Sequence, residues 1–219
     1  MLFRSWISLL GAHTLPFSYV PVNNIISRDG EAALLAGYPS IKVIAPLRFG
    51  VGDVTTKPFG PHPDFPDVYY IPRTSWGYPF SPYMRQLITS AVAGEGIWAH
   101  YIHPDDVFDP SRSQGLGWED LLSGFQSMVR FVKRQYPWLR YVTVRQAYEL
   151  LRRTGSAGVE YRWDGEDLLI ASEPGMLFRL RLNDRRLGSV SGGRIVHEYN
   201  RPSEVILETT ENATRVSFR

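Results

Sequence analysis

Two imidazoles and two carboxylates fall within seven residues of one another, at His100, His103, Asp105 and Asp106. Such a set can supply a general base, a general acid and a group to orient either of them. It can equally supply the hard and borderline donors of a metal site. The segment reads Gly96-Ile97-Trp98-Ala99-His100-Tyr101-Ile102-His103-Pro104-Asp105-Asp106. In an extended strand His100 and His103 point to opposite faces. Both reach one site only if the strand ends near Ile102 and Pro104 bends the chain, with His100 pointing inward and His103 approaching from the loop. The bland alternative is a buried histidine beside an Asp-rich turn.

Arg73 stands directly after an apolar run and before the aromatic stretch Thr74-Ser75-Trp76-Gly77-Tyr78. A guanidinium there can clamp a carboxylate or orient an aspartate, and a surface ion pair is its ordinary alternative. Asn23 and Asn24 close another apolar run in the same way. Trp76, Tyr78, Phe80 and Tyr83 are spaced like a wall for the apolar face of a sugar, or like plain packing. No Gly-rich phosphate fingerprint, GxSxG elbow or HExxH motif is present. His197, in a strand-like stretch, reads as an ordinary strand residue.

The elements that would position these groups alternate. Residues 17–22, 41–45, 68–72 and 96–102 read as short buried strands, with a further short strand near 140–142. Helices are expected from Ser27 to Gly37 and from the Ser81-Pro82 start to about residue 93. The best helical stripe runs over 118–136, and another helix follows the Thr143-Val144-Arg145-Gln146 capping box to about residue 153. The Pro/Gly-rich stretch 46–66 is longer than an ordinary connector and marks a functional loop or lid. Strand–helix alternation of this kind implies a parallel α/β sheet, in which ligands bind where the loops converge at the carboxyl ends of the strands. Asn23, Asn24, Arg73 and the stretch from His100 to Asp106 all sit at such ends. Beyond Gly158 the period changes to two, with an Asp164-Gly165 hairpin turn. Residues 158–219 therefore read as a small antiparallel, sandwich-like β-module after an α/β domain over 1–153.

Composition narrows the function. With 24 Lys+Arg against 22 Asp+Glu the net charge is +2, and the cations are almost all arginine, interleaved with acids, so no basic stripe invites nucleic acid. The absence of cysteine removes disulfides, thiolate nucleophiles and Cys-ligated zinc. No apolar run reaches the ~18 residues of a membrane span, and the start around Arg4 and 6–12 makes a poor signal peptide.

At "VPVNNIISRDGEAAL" (20–34), "IKVIAP" (41–46), "YYIPRTSWGY" (69–78), "GIWAHYIHPDDVFDPSRSQGLGWEDL" (96–121) and "YPWLRYVTVRQAYE" (136–149) the chain resembles a little-studied bacterial family. That family is related to the polysaccharide deacetylases of the NodB-homology, carbohydrate esterase group. The resemblance covers about two thirds of the chain. It implies a distorted (β/α) barrel that hydrolyses acetyl groups on a polysaccharide, with a divalent metal such as zinc held by an Asp and two His. It also implies that Arg73 orients an active-site carboxylate and that His100, or failing that His103, is the acid. The early Asp-Asp and paired-His elements of the superfamily have no match here, and His13 and His62 stand alone. By this resemblance the chain is the C-terminal half of such a barrel followed by the β-module, with the metal ligands on a missing N-terminal half. A signal-bearing N-terminal part would place it in the cell envelope or outside the cell; without one it would be cytoplasmic.

Three functions follow as expectations. The first is a metal-dependent carbohydrate deacetylase, or the C-terminal portion of one, using His100, His103, Asp105, Asp106 and Arg73 with Asn23, Asn24, Trp76 and Tyr78 around the substrate. The second is a non-catalytic carbohydrate-binding or scaffold domain in which the aromatic loop does the work. The third, a glycoside hydrolase pairing Asp105 or Asp106 with Glu95, suffers because Glu95 falls at the opposite end of its strand.

Overall fold

A computed structural model describes residues 15–47, 57–200 and 203–219, with the side chain of Asn23 excepted. The chain divides into two compact units, Met1–Gln135 with Val142–Leu151, and Tyr136–Tyr141 with Arg152–Arg219.

In the first unit, β1 (Ser18–Tyr19), β2 (Val43–Ile44), β3 (Gly60–Pro61) and β4 (Tyr69–Tyr70) form one sheet in the order β1-β2-β4-β3. β1, β2 and β4 run parallel, and β3 joins β4 antiparallel. Alternation along β2 explains why this sheet has to be covered on both faces. Ile44 packs with Leu35, Ile41, Val68 and Tyr70 on one face, and Val43 with Tyr69, Ile71 and Tyr148 on the other. Leu35 comes from α1 (Arg28–Gly37), whose Ser27 N-cap accepts from the Gly30 N–H at 3.1 Å. Tyr148 comes from α5 (Val144–Ser156), opened by the expected capping box: Gln146 Oε1 accepts from the Thr143 N–H at 2.8 Å, and Thr143 Oγ1 accepts from the Gln146 N–H at 3.3 Å.

A separate parallel pair, β5 (Ser75–Trp76) and β6 (His100–Tyr101), carries the residues of interest. Between its strands lies α2 (Pro82–Glu95), capped by Ser81 and ended by Gly96 in the left-handed region at φ 69°. After β6 come a 3-10 turn (Pro104–Phe108), the short α3 (Pro110–Ser113) and the long α4 (Trp118–Gln135). Leu121, Met128 and Val132 of α4 are fully buried, as its apolar stripe requires. Gly124 is needed where α4 meets the 78–80 segment, because a Cβ there would stand 2.9 Å from the Tyr78 carbonyl oxygen.

The barrel expectation is overturned. Among the described residues the parallel strands are two residues long and split between two sheets, one of them closed by antiparallel β3; no sheet closes on itself. The remaining sheets are antiparallel. The architecture is α/β only in the loose sense that helices cover a partly parallel sheet. The stretch from Pro46 to Pro66, expected as a loop, contributes β3 in its described part, and no strand forms near 140–142.

The second unit pairs β7 (Glu160–Asp164), β8 (Asp167–Ala171), β10 (Leu187–Ser191) and β13 (Ala213–Phe218) in the order β10-β13-β8-β7. β9 (Leu177–Arg181), β11 (Gly193–Asn200) and β12 (Ser203–Thr209) form a second antiparallel sheet, β11-β12-β9. Leu168, Ile170 and Val216 of the first sheet meet Leu207 of the second in the core. The Asp164-Gly165 turn falls where expected, with Gly165 at φ 63°. On β12, Glu204 is buried yet held below the ordinary carboxylate range, first by the hydrogen bond from Arg179 and then by Arg181.

Candidate functional site

Paired residues of parallel strands share a face, so Ser75 and His100 lie on one side of the β5–β6 pair and Trp76 and Tyr101 on the other. The two sides differ in chemistry.

On the inner side every polar group has a partner. The Trp98 indole N–H donates to Ser75 Oγ at 2.7 Å, Ser75 Oγ lies 2.9 Å from His100 Nδ1, and His100 Nε2 lies 2.9 Å from the Gly77 carbonyl oxygen. A carbonyl only accepts, which puts the imidazole proton on Nε2 and leaves Nδ1 to accept from the Ser75 hydroxyl. Gly77, at φ 78° in the left-handed region, turns its carbonyl into this position. Burial pushes the His100 imidazole down to about 4, against a smaller upward pull from the Gly77 carbonyl, so it is neutral at physiological pH. Ser75 is fully buried. His100 is thus held at both nitrogens by the 75–77 segment, through the Ser75 hydroxyl and the Gly77 carbonyl.

The outer side is open. The Arg73 guanidinium stacks 4.1 Å above the Tyr101 ring. Its Nε donates to the Ala45 carbonyl at 3.1 Å and its Nη2 to Asn24 Oδ1. Asn24, at φ 64°, ends a 3-10 turn (Val22–Asn24) that also contains Asn23. The Tyr101 ring meets the ring of His103 edge-on at 5.3 Å, and Trp76 is 40% exposed beside Tyr101. Asn24, Arg73, Tyr101 and His103 therefore form a continuous chain of contacts from three different strand ends. Tyr101 carried no weight in the sequence, yet it is the link. The available signal was its alternation with His100, which places it on the face that His100 does not occupy.

Tyr78 is not part of an open wall. It is 2% exposed, its ring packs against Trp118 and Phe125, and its hydroxyl donates to the His103 carbonyl at 3.3 Å. Phe80 packs on Phe131, while Tyr83 is exposed.

The two aspartates are bound up in a turn. Arg112 lies 3.3 Å from Asp105 Oδ2, 2.8 Å from Asp106 Oδ1 and 2.9 Å from Asp109 Oδ2. Asp106 is buried, and its Oδ1 faces Arg112 without an aligned hydrogen bond, so charge holds it. Asp109 is drawn down to about 2 by the Ser111 hydroxyl, the Arg112 guanidinium and the Ser111 N–H. Replacement of Arg112 by Ala leaves these carboxylates facing one another. We expect a lower urea midpoint than wild type at pH 7, with the difference narrowing only as pH falls from about 4 towards about 2, where Asp109 takes up its proton in the folded wild type.

Among the described residues no three His, Asp or Glu side chains are grouped so that they could hold a metal ion. With both His100 nitrogens engaged and the aspartates on Arg112, these residues do not supply the ligand set implied by the resemblance. His13 lies outside the described residues.

A family described as uncharacterised protein conserved in bacteria (DUF2194) matches residues 3–204. The chain belongs to that family. No curated protein and no solved structure matches the chain. A bacterial family is found as expected, and nothing in the match links it to the polysaccharide deacetylases. Among the described residues no helix is long and apolar enough to cross a membrane.

A second polar cluster lies beneath α1, and sequence reasoning missed it. Glu31, 1% exposed, accepts from the Tyr70 hydroxyl at 2.8 Å and lies 3.1 Å from His62 Nε2, both on Oε2. Lys57 Nζ stands 3.3 Å from its Oε1. The Asp64 N–H donates to His62 Nδ1 at 3.0 Å, which fixes the proton on Nε2. This cluster ties α1 to the chain around β3 and β4.

Proposed function

We propose that the outer side of the β5–β6 pair binds carbohydrate. The observation that carries this reading is the open row formed by exposed Trp76 and by Tyr101 with the Arg73 guanidinium stacked on it. Indole and phenol rings offer flat apolar surface for the C–H face of a pyranose, while fixed guanidinium and amide groups select hydroxyl and carbonyl oxygens at its rim. His103, exposed at the end of the row, adds a donor or acceptor. On this reading His100 and the Arg112-bound aspartates shape the site without touching the ligand.

Calorimetric titration with oligosaccharides of acetylated and unacetylated glucosamine tests this. Trp76→Ala should weaken binding about tenfold, or ~1.4 kcal/mol, which is the size expected for one lost stacking ring. His100→Gln should leave affinity within about twofold. Equal affinity in wild type and Trp76→Ala would sink the reading.

A second reading, carbohydrate deacetylation as the resemblance implies, has one favourable observation: the exposed His103 imidazole beside Tyr101 could protonate a leaving amine or alkoxide. Release of acetate from an acetylated oligosaccharide in the presence of Zn²⁺, lost in His103→Ala, supports it. No acetate above the His103→Ala background counts against autonomous activity.

A further inference from the structure

Arg73 is half-buried and rigidly held, yet no carboxylate faces it among the described residues. One N–H goes to the Ala45 carbonyl, one to the Asn24 amide oxygen, and the Tyr101 ring covers one face. All three partners are neutral. Burial draws the guanidinium down. The ion-paired arginines of the described chain differ from it: Arg28, Arg112, Arg140, Arg153, Arg179, Arg181, Arg194 and Arg215 each face one or more carboxylates. A desolvated cation without a counter-charge is costly, and a fold bears that cost where an incoming anion recovers it. The remaining N–H groups of Arg73 keep the planar fork that suits two carboxylate oxygens. The stacked ring and the Asn24 side chain fix that fork before any ligand arrives.

We propose that Arg73 is the receptor for a carboxylate on the bound sugar, so that the ligand is an acidic, uronate-bearing oligosaccharide lying along Trp76 and Tyr101. This rests on the carbohydrate reading above and sharpens its ligand class. Its consequence is a preference that neutral stacking cannot produce, since rings alone bind acidic and neutral pyranoses alike.

The test is titration of the full chain with tetrasaccharides of galacturonate, glucuronate and mannuronate, each beside its counterpart with the carboxyl groups reduced to alcohols. At least one acidic form should bind tenfold or more tightly than its reduced counterpart. Arg73→Gln should abolish the difference, and Arg73→Lys should retain only part of it, because an ammonium keeps the charge but not the fork. The acidic-against-reduced comparison in wild type needs no variant, so it stands even where a substitution disturbs folding. Equal binding of acidic and reduced forms overturns the carboxylate assignment and leaves the carbohydrate reading intact. Binding of neutral acetylated oligosaccharides with no binding of any uronate does the same. Binding of neither class overturns both.

Discussion

Glu31→Ala should cost about 3–5 kcal/mol of folding stability, the size seen when one partner of a buried charged network is removed. The reason is local. Glu31 Oε2 takes the Tyr70 hydroxyl and faces His62 Nε2, and Oε1 faces Lys57 Nζ, all at a site 1% exposed. Alanine leaves a buried hydroxyl, a buried imidazole N–H and a partly buried ammonium without the acceptor they share. Burial and the bond to Glu31 together push the Tyr70 phenol above its usual range, which favours the donor form. Glu31→Gln keeps one acceptor oxygen and most of the volume, and should fall between wild type and Ala. Equilibrium unfolding in urea checks the order; an alanine variant within 1 kcal/mol of wild type would show that this network holds nothing together.

The second large effect is a pH dependence carried by one residue. In the unfolded chain the imidazole of His100 titrates near 6.5, and in the folded chain near 4, because burial opposes its charge. The unfolded state therefore takes up the proton first as pH falls. The stability contributed is fully present above about pH 6.5 and is lost progressively towards pH 4, by up to about 3 kcal/mol. His100→Gln, which cannot protonate, should lose stability at neutral pH through the broken contacts to Ser75 and Gly77. Its stability should then be flatter between pH 6.5 and 4. Parallel pH profiles for the two proteins would mean that this imidazole is not buried as a neutral group.

Local signals in the sequence gave the elements that depend on local chemistry. Ser27, Ser81 and the Thr143–Gln146 box each cap the helix they announce, and the stripe of α4 buries Leu121, Met128 and Val132. The period of two beyond Gly158 likewise gives real strands, with Leu168, Ile170 and Val216 in their core. What sequence reasoning could not reach depends on distant partners. Glu31 looks like a solvent-facing helix residue until His62 and Tyr70, 31 and 39 positions away, arrive beside it. The barrel expectation failed because alternation of strand and helix specifies neighbours but not closure, and β3 enters antiparallel from a stretch rich in Pro and Gly.

The site was half legible for a related reason. Strand period correctly separates His100 from His103, and convergence of strand ends brings Asn24 to Arg73. The sequence does not show which side of the strand faces solvent. Ser75 and Trp98 engage His100, and Arg112 collects Asp105, Asp106 and Asp109. Of the groups that stood out as chemistry, His100, Asp105 and Asp106 are thereby engaged within the chain. The exposed surface belongs to Trp76 and His103, and the partly exposed Tyr101 joins them.

The most direct measurement is a ¹H–¹⁵N NMR titration that follows the indole N–H signals of Trp76 and Trp98 and the ring signals of His100 and His103 as oligosaccharide is added. The indole of Trp76 and the ring of His103 should shift with saturating dependence on ligand, while Trp98, whose N–H is committed to Ser75, and His100 stay in place. Shifts confined to Trp98 and His100, with Trp76 and His103 unmoved, would put the ligand on the inner side of the β5–β6 pair and contradict the account.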